Sequence, residues 1–279
     1  MKVVHNFFFD WYKILGDRLK NKGIKIKEME DDDIVSAYFN LRERLISQKN
    51  RKIRRAKEFH PSKQHSESLC NLENVVTSGG DLTPYLSRQI SSPINKKNKT
   101  DKFLSDWGIH HFHLGDKLDK TGSIEGTKEL LFAMVDDENF YEIGIYDHSS
   151  WFDTEILNII HKNWPDLISH YKLPFRIRTS IDSDSLKALR NGNVFVPNQI
   201  GNTLYFPFGG GITTSGHSDN AERKADRDRY KIKDLIANIQ TFDVPSFVGE
   251  QDSIKCRLVE VDGRIYVESI FFRKKVDLS

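Results

Sequence analysis

The sequence predicts an α+β protein: a helical N-terminal region, a small antiparallel sheet core, and a C-terminal α+β unit built around β-hairpins. Three observations predict this class. Apolar residues recur at three- and four-residue spacing over residues 6–21 and again from Ile34 to Leu45, the period of helices with one buried face. Strand-like runs fall at 109–114, 130–135 and 140–146, the last two apolar and flanking the turn Asp136-Asp137-Glu138-Asn139. Near the C-terminus, Asp262-Gly263 separates the runs 254–261 and 264–272, the dipeptide preferred by a type I′ hairpin turn.

The elements follow in order. In the first helix Phe8, Trp11, Tyr12, Leu15 and Leu19 share a face, and Gly23 marks its end. Asp31, Asp32 and Asp33 favour the positive N-terminus of a second helix, whose stripe is Ile34, Ala37, Tyr38, Leu41 and Leu45. Residues 61–101 carry Pro61, Gly79-Gly80, Pro84 and Pro93, which predict short helical pieces and loops, with Asn95–Lys99 as a linker. A short helix over 153–163 leads from the sheet core to Trp164-Pro165. Beyond it, 194–197 and 203–208 flank Gly201-Asn202 as a hairpin, and Asp219 with Glu222 opens a charged helix reaching about Gln240. The expected divisions are 1–100, helical and basic; 101–165, the sheet core; and 166–279, the C-terminal unit.

A chain of 279 residues, 38% hydrophobic and 29% charged, has enough apolar material for a substantial core. Cys70 and Cys256 are isolated thiols without a CxxC pattern, which points to a reducing cytoplasm. The start lacks a secretory apolar core and no stretch has membrane-spanning length, so no membrane partner is expected. A net charge of +2 is too small to name a nucleic-acid partner, so local charge has to. From Arg42 to Lys63 nine Lys or Arg stand against Glu43 and Glu58. Read as the end of the second helix, this segment offers Arg51, Lys52, Arg54, Arg55 and Lys57 to phosphates. The competing reading is a solvated face that balances acidic surface elsewhere.

The chemistry-bearing residues cluster in two segments, Trp107–Leu114 and Ile145–Phe152. On a strand, His111 and His113 share one face and His110 takes the other. His148 follows the third strand of the same sheet. Imidazoles at two-residue spacing suit proton transfer or metal ligation near neutral pH. The bland alternative is that these histidines only pack and hydrogen-bond at a sheet edge. Gly209–Ser218, rich in glycine and hydroxyls before a helix, is a second candidate, as an anion-binding loop or as a flexible connection. It lacks the Gly-Lys-Ser/Thr end of a P-loop, and the chain has no Gly-x-Ser-x-Gly elbow.

Leu130–Val135 and His148-Ser149-Ser150-Trp151-Phe152, following a His-bearing strand, resemble the RelE/YafQ-like ribonuclease toxins over residues 107–152. The resemblance implies an endoribonuclease of toxin or phage-defence type with no cofactor, acting on RNA and neutralised by an antitoxin protein. His148 would then be the general acid or base, partnered by His111 or His113, with His110 beside them. Departures are the embedding of this segment between two others and the long connection Gly115–Lys128. Two alternatives stay open: a hydrolase with zinc or another divalent metal on His111, His113 and His148, and a non-catalytic module binding nucleic acid or protein.

Overall fold

In the computed structural model the described residues are 2–87, 101–147, 154–174, 196–214, 216–239, 253–269 and 272–278, with isolated positions between 185 and 194. In chain order, the first elements are β1 (Lys2–Val4), α1 (Phe7–Asn21), α2 (Asp31–Arg44), β2 (Lys52–Arg55) and α3 (Ser66–Ser78). Next come α4 (Lys102–Trp107), β3 (Ile109–His113), β4 (Glu129–Val135), β5 (Asn139–Asp147), α5 (Thr154–Asn163), β6 (Asn198–Ile200) and β7 (Thr203–Tyr205). The last are α6 (Asp219–Asn238), β8 (Ser253–Lys255), β9 (Arg257–Val261), β10 (Arg264–Glu268) and β11 (Arg273–Val276). The class is α+β, as expected.

The chain forms two compact units, Met1–Asn40 with Ala221–Ser279, and Leu41–Asn220. This division differs from the three consecutive segments read from the sequence. The reason is long-range pairing: β1 runs parallel to β8, Cys256 N–H donates to Val4 O at 2.8 Å, and the Asp10 carboxylate accepts from Leu258 N–H at 2.9 Å. The first helix is thereby fastened to the C-terminal strands.

In that first unit, α1 buries Phe7, Trp11, Leu15 and Leu19, and Trp11 meets Phe39 of α2 with ring centroids 6.4 Å apart. The hairpin β9–β10 is the expected one, with Asp262 and Gly263 both at positive φ, 49° and 72°. Adding β11 completes a three-stranded antiparallel sheet in the order β11-β10-β9.

The second unit is organised by a four-stranded sheet in the order β2-β5-β4-β3. Its antiparallel part, β3-β4-β5, lies where the apolar runs place it. Asp136 closes the β4–β5 turn by accepting from the N–H groups of Glu138 and Asn139, at 2.8 and 2.6 Å. A bulge between Phe132 and Ala133 shifts the β4–β5 register, so Phe132 faces Gly144 while Ala133 faces Glu142. Ile109, Phe112, Leu130, Leu131, Phe132, Phe140 and Ile143 are fully buried, each stabilising the fold by about 1.5–3 kcal/mol. Before the sheet, Asp101 caps α4 by accepting from Leu104 N–H, and Gly108 at φ 64° ends that helix and turns the chain into β3.

The basic segment corrects the sequence reading. The helix α2 stops at Arg44, and residues 52–55 form a strand, β2, pairing parallel with β5. Ile53 supplies the one half-buried position among three exposed cations, so the strand carries no alternation that its sequence could show. The hairpin near Gly201 is also shifted, forming at 198–200 and 203–205. No helix of the described residues is long and apolar enough to cross a membrane.

Candidate active site at the end of a four-stranded sheet

Register fixes which residues share a face. His111 is opposite Phe132, which is opposite Gly144; His113 is opposite Leu130, which is opposite Tyr146. His111, His113 and Tyr146 therefore lie on one face, and ring contacts of Phe132 with His111 at 6.4 Å and with Tyr146 at 5.7 Å agree. The strands β3 and β5 flank β4 and run in the same direction, so both finish at the same end of the sheet. Strands spaced about 4.8 Å apart put the His113 and Tyr146 backbones about 10 Å from one another.

The three strand histidines have different surroundings. His111 is buried at 8% exposure, with Nδ1 3.5 Å from the Asp101 carboxylate. His110 takes the opposite face, as expected, beside Phe112. Burial pulls its imidazole down to about 4, Asp101 opposing and His111 and Arg51 adding to the effect. It is therefore neutral at physiological pH and supplies no cation to a phosphate. Only His113, half-buried, sits at the sheet end. Its Nδ1 accepts from Thr127 N–H at 3.2 Å, so a neutral ring carries its proton on Nε2. Thr127 is held in turn by Leu114 N–H donating to its hydroxyl and by that hydroxyl donating to Glu129 O. His148, next in sequence after the last residue of β5, lies outside the described residues, as do Ser149 to Phe152 and Asn95–Lys99.

Among the basic candidates, two are built into the fold. Arg51 is 5% exposed, and its guanidinium donates to Asp136 O, Ser47 O, Lys49 O and the Ser47 hydroxyl. The position that reads as a phosphate ligand is thus a clamp on the β4–β5 turn, because its backbone enters the sheet there. Arg55 shares the face of Glu142 on the neighbouring strand and divides its guanidinium between Glu142, at 2.7 Å, and Glu73 of α3. Its ring neighbour is Phe59, 5.3 Å away. Lys52, Arg54 and Lys57 remain exposed; Arg54 Nε donates to the Asn139 side chain at 3.1 Å. No hydrogen bond or ion pair engages the Lys52 or Lys57 ammonium groups among the described residues.

Glu142 is a group that sequence reading missed. It is fully buried on β5, one oxygen taking Arg55 Nε and the other, Oε1, without a hydrogen-bond partner among the described residues. Desolvation pushes its carboxyl up to about 7, with Arg55 pulling the other way and Glu73 adding to the rise. Its only sequence signal is a lone charge inside an otherwise apolar strand.

In the Gly209–Ser218 loop several amides are taken up within the fold rather than turned to an anion. Gly209 N–H donates to Asp106 O and Gly211 N–H to Ser105 O, while Asn220 donates back to Gly209 O. A Cβ at Gly209 would collide with the carbonyls of Leu104 and Ser105, so close backbone packing accounts for that glycine. Among the described residues no group of three or more His, Cys, Asp or Glu side chains is placed to hold a metal ion.

No protein-family model, curated protein or solved structure matches the chain.

Proposed function

We propose that the protein is a cytoplasmic endoribonuclease of toxin or phage-defence type, held in check by a neutralising protein, with His113 as an acid-base group. One observation carries the reading: His113 stands at the end of the sheet where β5 also finishes, on the face it shares with His111 and Tyr146. His148, which follows β5 in the sequence, is the proposed second group, a role that rests on the sequence alone. His111, against Asp101, is a positioning residue for the strand, and His110 is structural. Lys52, Arg54 and Lys57 are the proposed phosphate contacts, and Arg51 and Arg55 leave that set.

In this reaction one group removes the 2′-hydroxyl proton as the 2′-oxygen attacks phosphorus. The other donates a proton to the departing 5′-oxygen as the P–O5′ bond breaks. The products are a 2′,3′-cyclic phosphate and a 5′-hydroxyl, and no redox partner or metal is consumed. End-group analysis of cleaved RNA tests the chemistry. Wild type in the presence of a chelator is expected to leave 5′-hydroxyl ends, and His148→Ala to leave the RNA intact. A 5′-phosphate product, or cleavage that stops with chelator, contradicts this mechanism and moves the histidines to a metal site.

A further inference from the structure

The sheet β9–β10–β11 has one face turned to the core of its unit, where Ile265 and Val267 are 2% and 0% exposed. The alternate positions form the outward face: Arg257, Val259 and Val261 on β9, Arg264, Tyr266 and Glu268 on β10, and Arg273 and Lys275 on β11. Tyr266 sits in the middle row, directly opposite Val259 on one side and Lys275 on the other. In the next row Glu268 lies between two arginines, with Arg257 at 2.9 Å and Arg273 closer still. Four cations thus face outward against one carboxylate among the strand residues of this face. The Tyr266 side chain is half-exposed and makes no hydrogen bond or ring contact among the described residues, and neither Arg264 nor Lys275 has an ion pair there.

Each feature has a use in gripping a single strand of nucleic acid. An unengaged aromatic ring on a sheet surface offers a stacking platform to any base, and flanking cations take the phosphates. The Glu268 bridge holds two of the arginines upright rather than removing the positive excess. We propose that this face binds single-stranded RNA, with the Tyr266 ring as the stacking platform and Arg264 and Lys275 on the backbone phosphates. The inference rests on RNA being the substrate class, but it concerns binding in the first unit and is independent of the cleavage groups.

The test is fluorescence anisotropy with a labelled 2′-O-methyl RNA of about 12 nucleotides, within the span of known single-strand sites. Methylation removes the attacking hydroxyl, so binding is read whether or not the cleavage mechanism holds. Tyr266→Ala is expected to weaken binding about tenfold, and Tyr266→Phe, which keeps the ring, to stay near wild type. Arg264→Ala combined with Lys275→Ala is expected to flatten the slope of log affinity against log salt by about 1.4, from two lost phosphate contacts at about 0.7 each. If Tyr266→Ala fails to fold, the charge variant, which removes no packed ring, decides the question. No binding by wild type, an unchanged salt slope in the charge variant, or a Phe variant as weak as Ala overturns the proposal.

Discussion

Two titratable side chains on the sheet of the second unit, one fully buried and one half-buried, act on stability in opposite directions. Glu142 keeps its proton to about pH 7 in the folded state, against 4.5 for an ordinary glutamate. Between those values the folded protein holds a proton that the unfolded chain has lost. Its contribution is therefore complete below about pH 4.5 and disappears as pH rises through 7, by up to about 3 kcal/mol. Glu142→Gln, which keeps an oxygen for Arg55, is expected to gain stability relative to wild type as pH is raised from 5 to 8. Urea unfolding at several pH values measures this, and a pH-independent difference would contradict it. His110 does the reverse: its value of about 4 lies below the ordinary 6.5, so the unfolded chain takes up the proton first on acidification. Stability from this residue is present above pH 6.5 and lost as pH falls towards 4, by about 1–3 kcal/mol. His110→Gln should flatten the acid limb of the same unfolding curves, and an unaltered limb would show that His110 titrates normally.

At the scale of the element, β2 is where charge and structure separate. Arg51, Arg54 and Arg55 are indistinguishable in composition, yet one clamps a turn, one lies in the open and one bridges two carboxylates. Arg51→Met leaves Asp136 O, Ser47 O and Lys49 O without their donor and is expected to cost about 2–4 kcal/mol in urea unfolding. Arg54→Ala, on the surface, should change stability by less than about 0.5 kcal/mol. Equal effects would mean that Arg51 is not the clamp. Strands β3, β4 and β5 were legible because their apolar runs and the Asp136 turn are local signals. The strand β2 was not, because Ile53 is its one half-buried residue and nothing nearby marks β5 as its partner.

For the whole molecule, the α+β class was readable from periodicities, whereas the two-unit arrangement was not. Lys2–Val4 pairs with Ser253–Lys255, and no turn residue or spacing links segments so distant in sequence. The site was legible in part for the same reason. His111 and His113 share a face because alternation along one strand requires it, but Asp101 beside His111 and Thr127 on His113 come from loops that only the fold brings close. Likewise Glu142 reads as an ordinary strand residue until Arg55 arrives from another strand. The central claim is that His113 at the sheet end transfers protons during RNA cleavage. It is tested most directly by single-turnover cleavage of end-labelled RNA by His113→Ala and wild type, both in chelator. A loss of at least about 100-fold, with the thermal midpoint of the fold retained, is the result expected of an acid-base group. Cleavage at the wild-type rate by His113→Ala would contradict the account.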